Sequence, residues 1–81
     1  MEKRISVLSI IIYDRRSAGQ VNDILHEYSD WVIGRMGIPY EKKSVSIISV
    51  VIDAPMDVTS ALSGKLGMLN GVTAKTNTAK I

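Results

Sequence analysis

The sequence predicts an α+β sandwich of order β-α-β-β-α-β, a four-stranded antiparallel sheet with two helices on one face. Three observations carry this expectation. Ile and Val together number nineteen of the 81 residues, against five Leu and no Phe; β-branched side chains suit pleated sheet better than helix. They gather in two dense blocks, residues 5–13 and 45–52. Two further segments show a 3.6-residue apolar period between helix-boundary residues.

Residues 5–13 form the first strand. Ser17-Ala18-Gly19-Gln20 has the S-x-x-Q spacing of a capping box, with Ser17 accepting from the Gln20 amide and the Gln20 side chain reaching back. The helix that follows gathers Ala18, Val21, Ile24, Leu25 and Tyr28 in one stripe, opposite Asn22, Asp23, His26 and Glu27. Residues 31–40, interrupted by Gly34, Gly37 and Pro39, form the second strand. Glu41-Lys42-Lys43-Ser44 turns it back as a hairpin into the third strand, residues 45–52. Pro55 is a breaker, and Asp57 is placed to cap a second helix with the stripe Val58, Ala61, Leu62, Leu66 and Leu69. Asn70-Gly71 supplies a left-handed exit, and the polar Val72–Thr78 closes the sheet as an edge strand. Right-handed crossovers put both helices on the same face, which is the ferredoxin-like sandwich, here one domain over residues 1–81.

The strands do not alternate apolar with polar. In the first, Ile5, Val7 and Ile11 oppose Leu8, Ile10 and Ile12; in the third, Val45, Ile47 and Val51 oppose Ile48, Val50 and Ile52. A sheet with one wet face alternates, so the second face calls for a cover that the chain has no element left to supply. Another copy of the chain is the expected cover, in a dimer or tetramer.

Composition narrows the chemistry. Ten basic against eight acidic residues leave a net charge of +2, too balanced for a polyanion binder. Without cysteine there is no disulfide, thiol nucleophile or cysteine-held metal, and a single histidine, His26, cannot build a multi-histidine site; no cofactor or metal is expected. No aliphatic run exceeds three residues and no signal-peptide pattern opens the chain, so no membrane association and a cytoplasmic location are expected. An RNA-recognition sheet needs stacking aromatics on its central strands, and residues 44–51 contain none. A metal-chaperone sheet of this shape needs Cys-x-x-Cys; an acylphosphatase-like enzyme needs an Asn on the third strand beside its Arg. Neither is present. No acid–base pair is visible either, so an enzyme is not expected.

The run 28–40, with its Ile33-Gly34-Arg35-Met36-Gly37-Ile38-Pro39-Tyr40 centre, resembles the small regulators ascribed to iron-only hydrogenase systems. So do Val45-Ser46-Ile47-Ile48-Ser49 and Ala61-Leu62-Ser63-Gly64-Lys65-Leu66-Gly67, followed by Gly71-Val72. The resemblance covers nearly the whole chain in order. It implies an ACT-like version of the ferredoxin fold, an oligomer, and a regulatory role, in transcription by expectation. It extends to the effector domain of the nickel-responsive repressor, but the clustered His and Cys ligands of that domain are absent here. No DNA-binding helical motif is present, so direct nucleic-acid contact is not expected.

ACT-like assemblies commonly hold an effector near the first strand–helix loop. In this chain that loop offers Arg15, Arg16 and Ser17 at a helix start, where free N–H groups and guanidinium forks favour a carboxylate or phosphate. Gly34 and Gly37 in the second strand mark a bulge or a close approach by a neighbouring backbone, and Arg35 between them, on the face of Ile33 and Gly37, adds a cation. Capped turns and solvated arginines explain the same residues. Lys65 snorkels from the margin of the second helix stripe, Gly64 and Gly67 beside it could admit a neighbouring subunit, and Trp31 caps the core. Two functional readings follow: a non-catalytic module that senses a small anionic effector, or an assembly partner that binds protein and no small molecule.

Overall fold

The computed structural model describes residues 2–80. Six principal elements follow in order: β1 (Lys3–Ile12), α1 (Ala18–Glu27), β2 (Val32–Tyr40), β3 (Val45–Pro55), α2 (Met56–Gly67) and β4 (Val72–Thr78). Single 3-10 turns at Arg15–Ser17, Ser29–Trp31 and Glu41–Lys43 link β1 to α1, α1 to β2 and β2 to β3. The sheet order is β2-β3-β1-β4, and every neighbouring pair is antiparallel. This is the expected ferredoxin-like arrangement.

The register fixes the two faces. Leu8 pairs with Val50 and Ile10 with Ile48, while Val7 pairs with Val51 and Ile11 with Ile47. The first set is buried beneath Val21 and Leu25 of α1 and Leu62 and Leu66 of α2, in one cluster. Both helices therefore cover the same face. The second set faces away from them.

Local differences from the sequence expectation have physical reasons. The capping box does not form: Ser17 makes no side-chain cap bond, and Asp14 takes that role by accepting from the Arg16 amide at 3.0 Å. Asp14 precedes an extra 3-10 turn, so its carboxylate reaches the first free amides before Ser17 does. α2 begins at Met56, with Pro55 at its N-cap, and Asp57 lies within the first turn, where a carboxylate suits the helix dipole. Ala61 is exposed, and Thr59 is buried in the α2 stripe. Its hydroxyl donates back to the Pro55 carbonyl at 3.4 Å, so the polar group enters the core with a partner.

A bulge lies between Val32 and Gly34, as the glycines suggested. The extra residue, Ile33, shifts the phase of β2 by one. Arg35 consequently pairs with Val50, a core-face position, and sits on the helix side with Gly37 but not with Ile33. Trp31 ends the turn before β2 and packs against the core, with the Lys3 ammonium 5.6 Å from its ring centroid. Lys65 reaches across to the end of α1, where it meets Glu27 Oε2 at 3.1 Å and the Tyr28 ring at 5.0 Å. Contact with Tyr28 and then with Glu27 raises its pKa above the ordinary 10.5. Among the described residues, no helix is long and apolar enough to cross a membrane.

Candidate functional site

The β1–α1 loop is tied at three points. Asp14 grips Arg16 through both carboxylate oxygens, Oδ1 to Nε at 3.1 Å and Oδ2 to Nη2 at 3.0 Å. Hydrogen bonds from Arg16 hold the Asp14 carboxyl below its ordinary 3.8, and the same contact raises the Arg16 guanidinium. The Ser17 hydroxyl donates to the Asn70 carbonyl at 2.6 Å, and Ser17 is buried. The Tyr13 amide donates to the Gly71 carbonyl at 2.6 Å. The loop is thus fastened to the turn between α2 and β4, where Gly71 adopts φ +65°. Only a residue without a side chain fits there: a Cβ on Gly71 would lie 2.6 Å from the Cβ of Asp14.

Two cavities flank this loop. One, of about 400 Å³, is lined by Asp14, Arg16, Ser17 and Gln20 on one side and by Met68, Leu69 and Asn70 on the other. The second, of about 320 Å³, lies between the start of α1 and the β2–β3 hairpin. Ile12, Ala18, Pro39 and Val45 give it an apolar lining, while Arg15, Tyr40, Glu41, Ser44 and Ser46 bring polar groups. Arg15 is exposed, and its side chain makes no hydrogen bond within the described residues. Its charge is open to a ligand in a way that the charge of Arg16 is not.

The six residues singled out from sequence are not gathered at one point. Arg16 and Ser17 share the first cavity, and Arg15 faces the second. Arg35 donates from Nη2 to Asn22 Oδ1 on α1 at 2.8 Å, and Asn22 in turn donates to the Ala18 carbonyl at 3.1 Å. Gly34 and Gly37 line neither cavity, and a Cβ at either would meet nothing within 4 Å. No close backbone approach within the described residues explains these two glycines. Sequence reasoning missed Tyr40, Glu41 and Ser44 as neighbours of Arg15. The register carried that signal, since Ile12 pairs with Ser46 and Tyr40 with Val45, which brings the hairpin end beside the end of β1. Among the described residues, no group of three or more His, Cys, Asp or Glu side chains could hold a metal ion.

Comparison with known proteins agrees with this architecture. The TM1266-like family, described as "Iron-only hydrogenase system regulator, putative", matches residues 4–76. Among solved structures, the uncharacterized protein TM1266 from Thermotoga maritima superposes with a TM-score of 0.94 at 38% sequence identity. The alignment covers 98% of this chain and 100% of that one. No curated protein matches. With a family match spanning nearly all of β1 to β4 and a structural counterpart aligned over nearly the whole chain, the chain belongs to the TM1266-like family.

Proposed function

We propose that the chain is a non-catalytic, cytoplasmic regulatory module that works as a homo-oligomer and senses a small anionic effector at the β1–α1 loop. The observation that carries this reading is the contrast, among the three arginines of the candidate site, between the two that are held and Arg15. The charge of Arg16 is paired with the Asp14 carboxylate, with which an anion there would compete, and Arg35 is held against α1 by a hydrogen bond to Asn22, away from both cavities. Arg15 has no such partner and overlooks a cavity with an apolar lining and serine and tyrosine hydroxyls. A carboxylate or phosphate beside Arg15 gains charge-assisted hydrogen bonds, and its apolar part meets Ile12, Pro39 and Val45. Glu41, also in the lining, favours a ligand that carries a cation or a donor beside its anionic group. The family description supports a regulatory role rather than a catalytic one.

Because the loop is tied to the α2–β4 turn through Ser17 and Tyr13, a ligand that draws on Arg15 pulls on both helices. That linkage suits a sensor, in which a small contact biases the packing of larger elements.

A thermal-shift screen of carboxylates, amino acids and phosphates, followed by calorimetry, tests the reading. Arg15→Ala should weaken a binding anion by about ten- to a hundred-fold, the worth of a charge-assisted hydrogen bond. Arg35→Ala should leave affinity nearly unchanged. Silence across the panel favours the second reading, an assembly partner that binds protein alone, to which the broad apolar face of the sheet gives specific support.

A further inference from the structure

The sheet face turned away from the helices is organised for one kind of partner. Ile11, Ile47 and Ile38 form one apolar row across β1, β3 and β2; Val7 and Val51 form another, and Ser9 and Ser49 lie between them. Met36, Ile38 and Tyr40 of β2 are exposed at 60%, 46% and 42%. Among the described residues, the charged side chains at outward positions of the four strands are Lys3, Asp53 and Lys75, with Lys3 and Asp53 at one end of the sheet and Lys75 on the edge strand β4.

Area arguments point the same way. The protomer exposes 5416 Å², whereas a monomeric globular protein of this mass exposes about 4,800 Å². The surplus, ~600 Å², is close to one partner's share of a stable interface, about 800 Å². The sheet itself, at about 4.8 Å per strand and 3.3 Å per residue, presents a rectangle of ~600 Å² before its pleating is counted. A whole sheet face buried once per protomer accounts for the surplus.

The edges do not offer an equal alternative. β2 carries a bulge at one end and Pro39, which lacks an N–H, at the other; both interrupt pairing with a further strand. β4 is short and bears Lys75 among polar side chains.

We infer that this face is a homodimer interface in which two copies stack sheet on sheet about a two-fold axis parallel to the strands. β3 of one copy then lies over β1 of its partner. This rests on the homo-oligomeric reading above and specifies its surface. The pairing is self-complementary: β3's Ile47 and Val51 rows meet Ile11 and Val7 rows of the same height, and the small serine row meets itself. A two-fold axis across the strands would instead bring the two Lys75 rows together, which like charge opposes.

Sedimentation velocity of the full chain over a micromolar concentration series tests this, using wild type, Ile47→Lys on the face and Met68→Lys off it. The expected result is a wild-type oligomer, retained by Met68→Lys, with Ile47→Lys displaced to monomer at unchanged circular dichroism. An Ile47→Lys oligomer indistinguishable from wild type overturns the interface but leaves the homo-oligomeric reading standing. A wild-type monomer across the series overturns both. Should Ile47→Lys fail to fold, a single introduced thiol decides, since the chain has no cysteine of its own. Maleimide labelling of Ser49→Cys should slow as concentration rises, while that of Ser63→Cys on α2 stays constant. Equal, concentration-independent rates overturn the interface.

Discussion

Replacing Gly71 with alanine tests how tightly the candidate site is built into the fold. Gly71 sits at φ +65°, where an L-residue costs about 1–2 kcal/mol. The new Cβ would also lie 2.6 Å from the Asp14 Cβ and 3.0 Å from the Asp14 amide nitrogen. Neither is the loose end of a side chain, so backbone must move, and overpacking of this kind costs roughly 1–3 kcal/mol. Together the expected loss is about 2–4 kcal/mol, with part of the strain relieved by movement of the loop. For a chain of this size that lowers Tm by about 10–30 °C, read by thermal unfolding at matched protein concentration. Gly64 is the control: it lies inside α2 with nothing within 4 Å of its added Cβ. Gly64→Ala should stabilise by roughly 0.5–1 kcal/mol through helix propensity. A Gly71→Ala loss below about 0.5 kcal/mol would refute the reasoning, because it would mean that the turn and the Asp14 loop are not in the packed relation described.

Other perturbations probe neighbouring links. Asp14→Asn keeps a capping oxygen but removes the charge that Arg16 binds. The Asp14 carboxyl is held below 3.8 in the fold, so its contribution is present above that pH and lost as pH falls through the folded pKa. Thermal melts should therefore separate wild type from Asp14→Asn near neutrality and converge in acid. Lys65 has the opposite sign: raised above 10.5, it stabilises below that pH and ceases to as pH rises through its folded value. Lys65→Gln should differ from wild type at neutral pH and merge with it on the alkaline limb of a stability profile. Leu62→Ala removes a fully buried α2 side chain, and chemical denaturation should show a loss of about 2–5 kcal/mol.

Much of the fold was legible because apolar period and turn chemistry agreed. The Ile and Val blocks became β1 and β3, and the α1 stripe became the buried Val21 and Leu25 with Ala18, Ile24 and Tyr28 beside them. Asn70-Gly71 became the left-handed turn. The misreadings were local contests between near-equal groups. Ser17 matched the capping pattern, but Asp14 lay one turn earlier with a stronger acceptor, and the Ser17 hydroxyl found the Asn70 carbonyl instead. Arg35 was expected on the face of Ile33, and a one-residue bulge put the two out of phase. The candidate site was legible only as a loop. Sequence spacing brought Arg15, Arg16 and Ser17 together, but consecutive residues in a tight turn point in different directions, and the structure places them at two cavities. Arg35's partner, Asn22, lies thirteen residues away on another element, a contact that spacing alone does not encode.

The sensing role stands on whether an anion occupies the cavity beside Arg15, and an amide NMR titration reads that directly. Isotope-labelled protein is titrated with inorganic phosphate and then with each carboxylate or amino acid that shifts its melting temperature. Saturable shifts should concentrate at Arg15 and Ala18 and at Tyr40, Glu41 and Ser44 across the cavity, and Arg15→Ala should abolish them. Titrations that leave these amides unmoved for every class of anion, or that saturate equally in Arg15→Ala, would contradict the account.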